Sequence, residues 1–117
     1  MLHLSKYPSA IASVQSRIHE LDVQIERLYQ VIKQIECRVD SLIAFDESFR
    51  NDAQRKAKRQ ILLEAHQSYW ELQEDISDAR ASREINHIEL CRLRDEFSVL
   101  KLEKQENIAR MGGLLIS

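Results

Sequence analysis

The sequence predicts an all-α protein: a long antiparallel helical hairpin, a coiled coil with a short connecting helix, assembled into a dimeric helical bundle. Three observations carry this. The 117 residues include only two Gly and one Pro, so few turns can be built. No stretch alternates apolar and polar residues at the period of a strand. The N-terminal third instead repeats apolar residues every three or four positions without a break.

The first helix is expected over about residues 9–45. Its seam is Ile11, Val14, Ile18, Leu21, Ile25, Leu28, Ile32, Ile35, Val39 and Leu42. The a positions, Ile11, Ile18, Ile25, Ile32 and Val39, are all β-branched and the d positions are mostly Leu, a choice that favours two-stranded packing. Pro8 fits the first turn, where its missing N–H is harmless. Tyr29, Val31, Ile43 and Phe45 flank the seam where a simple two-stranded coil places charges. The stripe is therefore wider than a seam and calls for a third or fourth helix to cover it.

Asp46 to Asn51 is polar, breaks the heptad and reads as a turn. Asn51 and Gln54 have capping-box spacing, and Asp52 suits a helix N-terminus, so a short helix is expected over about 52–66. Ser68 and Glu71 repeat that spacing and suggest a break at His66–Ser68. Unbroken, the helix from 52 to 110 would run about 88 Å against about 55 Å for the first helix, at 1.5 Å per residue. A break leaves a third helix over about 69–110, close to the length of the first.

The third helix carries Tyr69, Leu72, Ile76 and Ala79, then Leu90, Leu93, Phe97 and Leu100 in one heptad frame. Arg83 and Asn86 occupy seam positions between them, where polar residues fix register at some loss of stability. Ile85, Ile88, Val99 and Leu102 make a second apolar face, the expected site of homodimerisation. Gly112 and Gly113 are expected to end the helix before a flexible tail over 111–117 that contains Leu114, Leu115 and Ile116.

The net charge is −2, so charge location matters more than its sum. Arg50, Arg55, Lys56, Lys58 and Arg59 cluster on the short helix with one acid, Asp52, among them. One reading is a phosphate-contacting tip; the other is a solvated face or a set of ion-pair partners. No aromatic residue interleaves the cluster, so no stacking platform is evident. Trp70 is either packed against the turn or an anchor for a partner.

Catalytic and metal chemistry find little footing. Glu84 and His87 have the spacing of one half of a di-iron site, but no second Glu-x-x-His exists. His87 and Cys91 lie one helical turn apart, and two ligands do not make a zinc site. There is no Gly-x-Ser-x-Gly and no phosphate-cradling loop. No catalytic residue, cofactor, metal or small-molecule substrate is therefore expected. Cys37 and Cys91 are too few for a disulfide framework and read as reduced thiols. No apolar run approaches the ~18 residues of a membrane span, and a cytoplasmic protein without membrane contact is expected.

Two segments carry a resemblance. One is Asn51-Asp52-Ala53-Gln54-Arg55-Lys56-Ala57, followed at a short distance by Tyr69. The other runs from Leu93 to Leu102, Leu-Arg-Asp-Glu-Phe-Ser-Val-Leu-Lys-Leu. Together they resemble small coiled-coil proteins of bacteriophages and other bacterial mobile elements. Such proteins often carry a Pro-containing turn where this chain has His66-Gln67-Ser68, without Pro. The resemblance covers roughly the C-terminal half. It implies a setting of DNA replication, recombination or host-defence conflict, and no reaction. The function expected is therefore a non-enzymatic interaction protein that docks on a larger protein partner. The alternative is direct nucleic-acid binding through the basic tip.

Overall fold

The computed structural model describes the backbone of residues 1–116 and the side chains of residues 1–113. A short 3-10 turn, Leu4–Lys6, leads into α1, Tyr7–Ala44. Then follow α2, Asp52–Glu64, and α3, Gln67–Ile116. The protein is an all-α helical hairpin, with no strand among the described residues.

Two packing units are built along these helices. The first joins Met1–Glu20 to the chain from Arg83 onward; the second is Leu21–Ser82. In the first unit, Tyr7, Val14, Leu90 and Leu93 form the buried cluster, with Ala10, Ile11, Ile18, Phe97 and Leu100 against it. Val14, Leu90 and Leu93 lie on the two expected seams. Tyr7 does not belong to the seam as read from sequence, yet it is fully buried. It lies four residues before Ile11, one heptad step upstream, so α1 starts its seam earlier than expected.

A phenol can be buried only if its hydroxyl finds a partner. Tyr7 Oη donates to Glu96 Oε2 at 2.8 Å, and its ring stacks on Phe97 with centroids 5.6 Å apart. Burial, then the hydrogen bond to the carboxylate, pushes the Tyr7 phenol up. The same hydrogen bond, followed by Arg92, holds the Glu96 carboxyl below the usual range.

In the second unit, Ile35, Val39, Ile43 and Leu63 form the buried cluster, with Phe49, Leu62, Tyr69 and Leu72 against it. Ile32, Ile76 and Ala79 are buried as well. Here the seam departs from the heptad. Its last steps are Ile35, Val39 and Ile43, spaced by four, and each such step turns the face about 40° around the helix. Ile43 is thereby carried inward against α2. Leu42, expected in the seam, is turned out and 65% exposed. The connecting helix is thus the third neighbour that the wide stripe required, for Ile43 alone. Tyr29 is covered otherwise, by the Arg80 guanidinium 5.1 Å from its ring centroid.

The helix ends explain the breaks. Asn51 Oδ1 accepts from the Gln54 amide at 2.9 Å, and Gln54 Oε1 accepts from the Arg50 amide at 2.8 Å. The capping residue is as expected, but the return bond goes one residue further back. The break before α3 falls at Ala65 and His66. Ser68 and Glu71 do not form the cap there: Ser68 lies inside α3, and His66 Nδ1 accepts from the Tyr69 amide at 3.3 Å. An imidazole does the work of the Ser hydroxyl because the helix starts at Gln67, before Ser68.

α3 does not stop at the glycines. It passes through Gly112 and Gly113 to Ile116, so the tail expected over 111–117 is helical as far as Ile116; Ser117 lies outside the described residues. Glycine weakens a helix without forbidding it, by about 1 kcal/mol each against Ala. At 50 residues against 38, α3 and α1 are not matched in length.

Leu93→Ala is expected to remove about 2–5 kcal/mol of stability in urea unfolding followed by circular dichroism. Leu42→Ala should stay within about 0.5 kcal/mol of the parent. Tyr7→Phe should be less stable than the parent at neutral pH. The Glu96 carboxyl is depressed by folding, so its contribution is full above about pH 4.3 and lost as pH falls through the lower folded value. The Tyr7 phenol is raised by folding, so its contribution is full below about pH 10 and lost as pH climbs through the folded value. The gap between parent and Tyr7→Phe should therefore narrow in acid and again in strong base, in melts recorded across pH.

Candidate docking surface at the end of the first helix

α1 stops because the chain turns polar after Phe45. The Phe45 amide donates to Ser41 O and the Asp46 amide to Ile43 O, each at 3.2 Å, which closes the last turn. Asp46 Oδ1 then accepts from both the Ser48 amide, 2.9 Å, and the Ser48 hydroxyl, 2.6 Å. These bonds, the hydroxyl's first, hold the Asp46 carboxyl below its ordinary range. The turn is thus fixed by a local side-chain cap.

The same geometry presents an apolar surface. Leu42 and Phe45 are three residues apart and share one face of the helix. Phe45 is 87% exposed. With Cys37, Arg38, Ser41, Asp46 and Glu47 they line a shallow, open depression. Its rim carries both signs of charge around an apolar centre, the composition of a protein contact. Open to solvent, it lacks the enclosure that a small-molecule site requires.

The basic cluster is only partly available. Arg59 is half-buried, and its Nε donates to Asp40 Oδ1 at 2.8 Å, with Glu36 Oε2 3.7 Å from Nη2. The bond to Asp40, then the charges of Asp40 and Glu36, raise the Arg59 pKa. Arg59 thereby ties α2 to α1. Arg55 pairs with Asp52 at 3.1 Å. Lys58 is half-buried and its charge acts on Asp46. Arg50 and Lys56 are exposed and make no ion pair among the described residues. The five cations thus divide between holding the fold and facing solvent.

Trp70 packs against the turn while keeping about half its surface exposed. Its Nε1 donates to Glu64 O at 2.9 Å, satisfying a carbonyl at the end of α2. Its ring meets Tyr69 edge-on, centroids 6.0 Å apart. With Gln60, Leu63, Glu64, Tyr69 and Gln73 it borders a small depression. A further open depression exposes Ile61 beside Phe49, Ala57 and Lys58.

The residues considered for metal or redox chemistry do not assemble into a ligand set. No group of three or more His, Cys, Asp or Glu gathers among the described residues. His87 Nε2 lies 3.9 Å from Cys91 Sγ on the surface of α3. Cys37 and Cys91 are free and exposed. No helix among the described residues is long and apolar enough to cross a membrane. No family model, curated protein or solved structure matches the chain.

The heptad period places Leu42 in the seam and Phe45 at its flank, so the exposed pair they form is not evident from the period alone. Consecutive four-residue steps to Ile43 were the available signal.

Arg59→Ala is expected to lower stability by roughly 0.2–1 kcal/mol, the range of a partly exposed ion pair. Lys56→Ala should leave it unchanged. Paired urea titrations distinguish the two.

Proposed function

We propose that this chain is a non-enzymatic coiled-coil interaction protein, an accessory factor that docks on a larger protein. The observation that carries it is the pair Leu42 and Phe45, large apolar side chains side by side and mostly exposed at the end of α1. Burying such a pair against a partner is worth on the order of 2–4 kcal/mol at about 25 cal/mol per Å², enough to act as a hot spot. Trp70 and Ile61, each about half exposed, supply further apolar area within the same unit. The two exposed, unpaired thiols suit a reducing cytoplasm. The resemblance to phage and mobile-element proteins suggests a nucleic-acid-processing or defence-related partner.

Direct nucleic-acid binding is the second reading, favoured by Arg50 before α2 and Lys56 within it, both exposed and without an ion pair among the described residues. It is the weaker one. With Arg55 and Arg59 engaged, about three cations remain. Three phosphate contacts give a salt slope of only about −2.7 and the affinity of non-specific association.

Leu42→Asp with Phe45→Asp should leave folding intact and abolish capture of the partner from the native host, while Arg50→Ala with Lys56→Ala should retain it. Affinity capture with mass spectrometry on all three proteins checks this. Capture unaffected by the aspartates would contradict the docking reading. A fluorescence titration against DNA and RNA at two salt concentrations tests the other reading, which requires binding that weakens with salt and with the loss of Arg50 and Lys56.

A further inference from the structure

The outer face of α3 is charge-complementary to itself when two helices run antiparallel. Ile85, Ile88, Arg92, Asp95, Val99 and Leu102 are spaced three and four residues apart throughout, a second heptad seam. It lies two residues, about 200°, around the helix from the Leu90, Leu93, Phe97 seam that faces α1. Its four apolar members are between 51% and 68% exposed, and nothing among the described residues covers them.

We propose that this face binds a second copy of the chain, antiparallel, about a two-fold axis level with the Leu93–Arg94 bond. In that register Ile85 faces Leu102 of the other copy, and Ile88 faces Val99. Arg92 faces Asp95. Every layer matches an a position to a d position, as an antiparallel coiled coil requires, and every layer occurs twice, as an isologous contact requires. The alternatives fail on charge. A parallel pair in register sets Arg92 against Arg92 and Asp95 against Asp95. An antiparallel pair slipped by one heptad sets Arg92 against Leu102 and Asp95 against Val99, placing each charge on an apolar neighbour.

The central layer is prepared for this. Arg92 is held by Glu89 and Glu96, with Nε donating to Glu89 Oε2 at 3.0 Å. Three of its five N–H groups are used there, which leaves two for an incoming carboxylate. Asp95 is exposed and makes no ion pair among the described residues. The two carboxylates beside each guanidinium also offset the repulsion between the two Arg92 groups near the axis.

This pairing does not rest on the docking proposed for Leu42 and Phe45, and either can fail without the other. The test is site-directed crosslinking of the full chain with Cys37→Ser and Cys91→Ser as background. Ile88→Cys with Val99→Cys should give a disulfide-linked dimer under mild oxidation. Ile88→Cys alone should not, because its two copies lie about 16 Å apart along the helix axis in this register. Light scattering of the parent at high concentration should give twice 13.7 kDa. Ile88→Glu should give 13.7 kDa with unchanged helicity. Asp95→Lys should weaken association about tenfold or more. A parent that stays monomeric at high concentration, or efficient linkage through Ile88→Cys alone, would overturn the proposal. Neither result would touch the capture of a partner by Leu42 and Phe45.

Discussion

The apolar seam of α1 must be covered along its whole length, and the other elements are arranged by that need. A stripe with β-branched residues at every a position cannot remain in water over 38 residues. In the first unit the chain beyond Arg83 covers it, around Val14, Leu90 and Leu93. In the second, α2 and the start of α3 cover it, around Ile35, Val39, Ile43 and Leu63. A helical hairpin offers no deep interior, so this one strip of contact carries most of the hydrophobic stabilisation. The polar interactions that accompany it sit at its margins. Tyr7 with Glu96 seals the first unit, and Arg59 with Asp40 and Glu36 clasps the second.

What the seam does not use is left facing solvent, and the functional readings lie there. Continuous helices set which residues those are. Where the buried steps change from three and four to four and four, Ile43 turns in and Leu42 turns out beside Phe45. Where α3 carries two heptad frames, only one can face α1, and the other keeps Ile85, Ile88, Val99 and Leu102 exposed. The proposed docking on a larger protein and the proposed antiparallel pairing therefore arise from one cause: apolar periodicity in excess of what the chain can bury by itself.

Much of this was legible in the sequence. The heptads of α1 and α3, the turn from Asp46 to Asn51, the Asn51 cap and the exposed second face of α3 all rest on local pattern, and local pattern is what a sequence displays. The misreadings came from long-range or competing effects. Tyr7 falls outside the helix expected over about 9–45, because its partners, Glu96 and Phe97, are nearly ninety residues away. Leu42 fitted the heptad, but packing against α2 overrode the period. Ser68 had the right spacing for a cap, yet His66, a less usual capping residue, reached the amide first. The glycines near the end of α3 read as a stop, and the helix passes through both. The basic cluster was visible as charge, while its division into fold-holding and solvent-facing members depended on Asp40 and Glu36, one helix away.

The measurement that bears most directly on the seam is residue-resolved amide hydrogen exchange of the parent at low protein concentration. If the α1 seam holds the protein together, amides of α1 around Val14 and of α3 around Leu90 and Leu93 should be protected to a similar degree and lose that protection together as urea is raised. Those around Ile35 to Ile43 should likewise open together with α2. Rapid exchange throughout α1 while α3 stays protected would contradict the account.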